Sequence, residues 1–150
     1  MLHRTYDTQV CSIARSLEVV GERWTLLIVR DVLLGVRRFD DLQQSLGITR
    51  TVLSARLAHL VEEGVLERRR YQERPERFEY HLTEKGRDLW PVTLALLKWG
   101  DRYYLPEDGP PRVLEHEGCG GEVNDRRICD RCGRQLEPAD VRALPGTGDP

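Results

Sequence analysis

Lysine is nearly missing from this chain: only Lys85 and Lys98 stand among its 23 basic residues. That bias carries little functional weight, but other shortages exclude whole classes. No run approaches the ~18 apolar residues that a membrane-spanning helix needs. The stretch around residues 24–34 is broken by Arg30 and Asp31. The first ten residues, MLHRTYDTQV, lack the apolar centre of a secretory signal. An intracellular, cytoplasmic and nucleoid-associated protein with no membrane partner is expected. Four cysteines in 150 residues are too few for a disulfide framework, and a reducing compartment would not keep one. There is no phosphate-cradling glycine loop and no G-x-S-x-G. His59 and His81 have no nucleophile nearby in sequence, so an enzyme is not expected. The net charge of −2 excludes a generally basic coat for nucleic acid.

What is present is asymmetric. Residues 1–105 hold 17 Lys+Arg against 15 Asp+Glu, whereas residues 106–150 hold 6 against 10. The length suits one ordinary domain or one domain plus a small appendage. Residues 1–10 read as a loose arm. Residues 11–20 read as a helix with Ile13, Ala14, Leu17 and Val20 inward, stopped by Gly21. A second helix uses Trp24, Leu27, Ile28, Val32 and Leu33 and ends at Gly35. Residues 39–46 form a short third helix, with Phe39, Leu42 and Leu46 inward. After Gly47, Thr49 is a natural N-cap for a helix to about Glu63, whose core face is Leu53, Leu57, Leu60 and Val61.

The period then changes to two. Residues 66–71 and 77–82 predict two strands joined by a polar turn at 72–76. Thr83 can cap a last helix to about Tyr104, which Pro91 should kink or divide. Pro106, Gly109, Pro110 and Pro111 mark a linker over 106–111. A Cys/His segment over 112–137 and a Gly/Pro-rich, mobile tail over 138–150 complete the chain. The fold class is therefore mainly α with a small β-hairpin wing: a winged helix-turn-helix over 11–105, followed by a zinc-ribbon-like segment.

A helix, a glycine turn, a second helix and a hairpin are the parts of a double-stranded-DNA reader. Counting about 100° per residue, the face of the fourth helix opposite its core holds Thr51, Ala55 and Glu62. Arg50, Val52, Ser54, Arg56 and His59 lie on the flanks. Short or polar side chains permit close approach to base edges, and arginine pairs with guanine or phosphate. Arg50, Thr51, Ser54, Ala55, Arg56 and His59 are the expected helix contacts. Arg74 and Arg77, at the wing tip, are placed for phosphate or a minor groove. A solvated, functionless set of hairpin charges is the competing reading.

The runs Cys11-Ser12-Ile13-Ala14-Arg15, Val20-Gly21-Glu22-Arg23-Trp24-Thr25-Leu26-Leu27-Ile28 and Arg38-Phe39-Asp40-Asp41-Leu42 make the resemblance specific. They are joined in order by Ile48-Thr49, Leu53-Ser54-Ala55-Arg56-Leu57, Leu60-Val61-Glu62-Glu63-Gly64, Pro75-Glu76-Arg77-Phe78-Glu79-Tyr80 and Leu82-Thr83-Glu84-Lys85-Gly86. Over about residues 11–104 the chain resembles the HxlR family of bacterial winged-helix regulators. The resemblance implies a homodimeric transcription factor on near-palindromic operators, its dimer surface made by the N-terminal and C-terminal helices. Leu96, Trp99, Tyr103 and Tyr104 are the candidate interface here, because a helix at the edge of so small a domain has few other places to bury aromatics. An intramolecular core remains the alternative for Trp99 and Tyr103. The resemblance also leaves room for a small-molecule effector between the dimer helices.

His116-x2-Cys119, nine residues and Cys129-x2-Cys132 pair four ligands as tetrahedral, structural zinc requires. A metal-free appendage and a Cys129–Cys132 redox pair are the alternatives at this point. Four ligands leave no open position for catalysis. Cys11 reads by default as a small buried residue. Some regulators that the chain resembles respond to oxidants through a cysteine in this region, which makes Cys11 a candidate redox sensor, with Arg15 as its thiolate partner. A second function class competes with the DNA reader: a winged-helix protein-interaction module docking through the acidic Cys/His segment.

Overall fold

The computed structural model describes residues 10–148. The expected arm at 1–10 lies outside the described residues apart from Val10, which is exposed. The chain divides into two compact units between Arg87 and Asp88.

The first unit contains α1 (Ser12–Val20), α2 (Thr25–Leu33), α3 (Phe39–Leu46), α4 (Arg50–Glu62), the antiparallel strands β1 (Leu66–Glu73) and β2 (Glu76–Leu82), and the single turn α5 (Glu84–Arg87). Its core is Ile28, Val29, Val32, Leu42, Leu53, Leu57, Leu60, Val65 and Leu66, all nearly inaccessible. The inward face of α2 is rotated from the expected one. Thr25, Val29 and Asp31 are buried, while Trp24 and Leu27 are only half-buried. Asp31 tolerates burial because its carboxylate accepts from Ser45 Oγ at 2.7 Å and pairs with Arg30 Nη2 at 2.8 Å. Ser45 lies on α3, so this bond ties α2 to α3. The α1 face also departs from expectation. Ala14 and Val20 are buried, but Ile13 and Leu17 are exposed.

The turn between α3 and α4 is set by two local devices. Gly47 ends α3 with φ +64, a left-handed value that favours glycine. Two residues later Thr49 caps α4, its side chain accepting from the Val52 N–H at 3.3 Å. The hairpin turn is tighter than expected, with only Arg74 and Pro75 between the strands. A bulge between Arg70 and Gln72 shifts the register. The Tyr80 N–H donates to the Arg37 carbonyl at 2.8 Å, so the α2–α3 connection adds a short third edge to the wing.

The second unit contains α6 (Trp90–Tyr103), β3 (Arg112–His116), a 3-10 turn (Pro138–Asp140) and β4 (Val141–Pro145). Pro91 sits in the first turn of α6, where its missing N–H costs nothing; it divides the predicted last helix rather than kinking it. The expectation of a mobile tail from residue 138 is overturned. β4 pairs antiparallel with β3, from Arg112↔Pro145 to His116↔Val141, which satisfies the backbone groups of this segment. The division between units also falls elsewhere than the linker at 106–111. Trp90 Nε1 donates to the Leu136 carbonyl at 3.2 Å and Lys98 Nζ reaches Glu122 at 3.3 Å, so α6 belongs with the Cys/His segment.

Candidate nucleic-acid interface and metal centre

The outward side of α4 exposes Arg50, Thr51, Val52, Ser54 and Ala55. All five lie in its first two turns. Arg50 is held against α3, with Nη1 at 3.1 Å from Asp40 Oδ1 and its guanidinium 4.6 Å from the centroid of the Phe39 ring. Two expected contacts are turned partly inward. His59 Nε2 lies 3.1 Å from the Val19 carbonyl and therefore donates to it. Arg56 is half-buried, and its Nε is shielded from solvent with no hydrogen-bond partner among the described residues. The early turns of α4 are thus brought together as one surface, and Arg56 and His59 sit at its margin.

The wing sorts its arginines. Arg70 pairs with Glu76 at 2.6 Å, Arg69 pairs with Glu67, and Arg68 lies 3.9 Å over the Phe78 ring. Arg74 and Arg77 are exposed and, among the described residues, take part in no ion pair. A solvated guanidinium without an internal partner is free to meet a phosphate. At the base of the wing, Arg37 and Arg69 approach His81 Nδ1 at 3.3 and 3.5 Å, while His81 Nε2 meets Glu79 at 3.1 Å. Sequence reasoning missed this cluster. The one available signal was the hairpin register, which sets Glu67 opposite His81.

His116, Cys119, Cys129 and Cys132 converge, with their ligand atoms all within 4.8 Å of one another. Cys119 Sγ and Cys129 Sγ are 3.9 Å apart, and Cys132 Sγ is 3.5 Å from His116 Nδ1. A tetrahedral zinc with ordinary bond lengths has sulfur–sulfur edges of about 3.8 Å and sulfur–nitrogen edges of about 3.6 Å. Both knuckles are hydrogen-bonded turns. The amides of Cys119 and Gly120 donate to the His116 carbonyl, and that of Gly133 donates to Cys129. A Cβ on Gly121 would stand 2.3 Å from Cys129 Sγ, so only glycine lets the two knuckles close. The amides of Cys132 and, less strongly, Arg131, with the His116 and Cys132 side chains, bring the Cys129 thiol down to about 6 against the opposing effect of burial. The Gly121 amide favours the Cys119 thiolate, yet burial and the neighbouring sulfurs together hold that thiol above its usual range. The set can hold a metal. The Cys/His segment is not a loose appendage, since Val123, Cys129 and Leu136 are fully buried.

Two further expectations meet the structure directly. Leu96, Trp99, Tyr103 and Tyr104 are exposed, Trp99 at 54% and Tyr103 at 62%, so Trp99 and Tyr103 are not part of the second unit's own core, against the intramolecular alternative. Trp99 packs its ring 5.7 Å from Tyr103 and 5.3 Å from Tyr104. Cys11 is exposed and not buried, because α1 starts at Ser12 and Cys11 takes the extended N-cap position outside it. The Ala14 and Ile13 amides lower its thiol pKa, and not the Arg15 guanidinium that the sequence suggested.

The sequence profile described as HxlR-like helix-turn-helix matches residues 19–108. An uncharacterized HTH-type transcriptional regulator of Mycobacterium tuberculosis is 49% identical over 137 residues, 91% of this chain and 87% of that protein. The HTH-type transcriptional regulator YdeP of Bacillus subtilis is 33% identical over 98 residues, 65% of this chain and 77% of that protein. Among solved structures, that of PA1607, a candidate transcription factor, superposes with TM-score 0.72 and 37% identity, covering 91% of this chain and 96% of that one. The reduced form of the redox regulator HypR superposes with TM-score 0.59 and 29% identity over 63% of this chain and 94% of that one.

Proposed function

For a chain that belongs to the HxlR-like helix-turn-helix family, and is a transcriptional regulator with a DNA-binding fold rather than an enzyme, we propose a homodimer that reads near-palindromic operators in the cytoplasm. The observation that carries this reading is the surface of α4: five exposed positions in its first two turns, three of them the short side chains Thr51, Ser54 and Ala55. Such a surface can enter a major groove without steric cost, and Arg50 at its edge supplies a cation. Arg74 and Arg77 on the wing contact the backbone and fix position, with Arg56 and His59 in supporting places. The partner copy meets Leu96, Trp99, Tyr103 and Tyr104.

The same proposal assigns zinc to His116, Cys119, Cys129 and Cys132, as a structural ion with a closed coordination sphere. When bound, the metal supplies cross-linking of the two knuckles and no chemistry. Cys11 is the candidate redox sensor: exposed, at a helix start, and of lowered pKa.

The test compares Ser54→Trp with Arg74→Ala against the chain's own promoter region and against random duplex. Ser54→Trp should cost about 1–3 kcal/mol of operator preference per lost base contact and leave non-specific binding nearly intact. Arg74→Ala should weaken both equally and lower the salt slope by about one per lost phosphate contact. Equal, sequence-independent losses from both would remove α4 as the reader. No effect from either, or no binding at all, would favour the protein-interaction module.

A further inference from the structure

α6 has two opposed faces. At about 100° per residue, Trp90, Leu94 and Lys98 fall within about 80° of one another. Val92, Leu96, Trp99 and Tyr103 fall within about 60° of one another, centred about 170° away. The first face is seated on the Cys/His segment: Trp90 is buried with Nε1 on the Leu136 carbonyl, and Lys98 is bonded to Glu122. The second face is exposed and uncharged. It carries both a shallow apolar groove, lined by Pro91, Val92, Ala95, Leu96 and Trp99, and a knob, the Trp99–Tyr103 pair. Groove and knob on one surface are what a two-fold contact between identical copies requires.

Both anchors of the seated face lie close to metal-ligating residues. Leu136 follows Cys132 by four positions and its N–H donates to the Arg127 carbonyl at 2.6 Å. Glu122 follows Gly121, the residue pressed against Cys129 Sγ, and its N–H donates to Asp130 Oδ1 at 2.8 Å. Asp130 is the neighbour of Cys129. The segment offers little else to hold these anchors, for its regular structure is two five-residue strands and one 3-10 turn, and its buried core is Leu114, Val123, Cys129 and Leu136. A helix of 14 residues is marginal in water without a surface to lie on.

We infer that the His116–Cys119–Cys129–Cys132 centre controls self-association: zinc orders the seat of α6, and α6 so held presents its opposite face to a second copy of this chain. The inference rests on the proposed zinc and dimer, and adds that the first governs the second. The chain of residues 1–150 is compared as purified, after chelator stripping, and after zinc is returned. Zinc per chain, the dimer dissociation constant by sedimentation and amide exchange along α6 and α4 are read together. Stripping should raise the dissociation constant by about tenfold or more, equivalent to about 1.4 kcal/mol. It should also deprotect the α6 amides and leave those of α4 unchanged, and returned zinc should restore both. Trp90→Phe, which keeps all four ligands, should retain zinc and still weaken the dimer. A zinc-loaded protein whose dimer constant and α6 protection survive stripping overturns the inference and leaves the metal site intact. A zinc-loaded monomer overturns it as well. A chain that binds no zinc removes the metal reading itself. Should stripping precipitate the protein, an unchanged dimer constant for Trp90→Phe is the overturning result.

Discussion

The first unit buries Ile28, Val29, Val32, Leu42, Leu53, Leu57 and Leu60 from three helices, whereas the second buries Trp90 and Leu94 of α6 with Leu114, Val123 and Leu136, beside a His/Cys cluster that can hold a metal. The units also differ in how chain order relates to contact. In the first, local signals set the elements, a cap at Thr49, a left-handed glycine at Gly47 and a hairpin after α4, although His59 still reaches back to Val19 and Tyr80 to Arg37. In the second, residue 90 meets residue 136 and residue 112 pairs with residue 145. A hydrophobic core tolerates the loss of one member in degree. A four-ligand centre tolerates it hardly at all, because three ligands leave the cross-link incomplete.

Cys129→Ser is the largest break in this comparison. It should abolish metal binding and open the 112–148 region to limited proteolysis, while helix content and thermal unfolding of the first unit persist. Zinc retention with unchanged protease resistance would end the distinction. Leu57→Ala should do the reverse. It should cost about 2–5 kcal/mol of the first unit's stability as a cavity in the core and leave zinc content at its starting value. Thermal melts with elemental analysis check both sides. Thr49→Ala removes the N-cap of α4 and should cost about 1 kcal/mol, with operator binding reduced because the reading turns of α4 fray. Circular dichroism and gel shift on the same samples decide it. Cys11 gives the smallest effect. Its replacement by Ser should leave stability unchanged, but limiting iodoacetamide should label Cys11 ahead of Cys119, Cys129 and Cys132 in the zinc-loaded protein. Because its thiol pKa is lowered, labelling should already be faster at neutral pH than for a free thiol, and should rise further with pH. Peptide mapping by mass spectrometry would show a different order if the zinc cysteines were open.

Much of the candidate interface was legible before the fold. Leu53, Leu57 and Leu60 put Thr51, Ser54 and Ala55 outward by helical period alone, and the structure exposes all three. The convergence of His116, Cys119, Cys129 and Cys132 into one cluster was legible by spacing. What was not legible has a physical reason in each case. Asp31 is charged and reads as solvent-facing; only Ser45, 14 residues on, makes its burial tolerable. His59 is polar on a flank of α4 and reads as a contact, yet the Val19 carbonyl claims its ring. Val141 to Leu144 lies in a stretch rich in glycine and proline, and becomes a strand because β3 supplies its partner.

The amino-acid sequence by itself determined the winged-helix order, the cap and turn between α3 and α4, and the two close pairs His116/Cys119 and Cys129/Cys132, since periodicity, capping and close spacing act within a few residues. The tertiary structure alone decided that α6 belongs with the Cys/His segment, that the tail is a strand, and that Cys11, Ile13 and Leu17 stay at the surface. Those outcomes depend on which distant groups meet, and burial and hydrogen bonding are settled by the partner and not by the residue's own character.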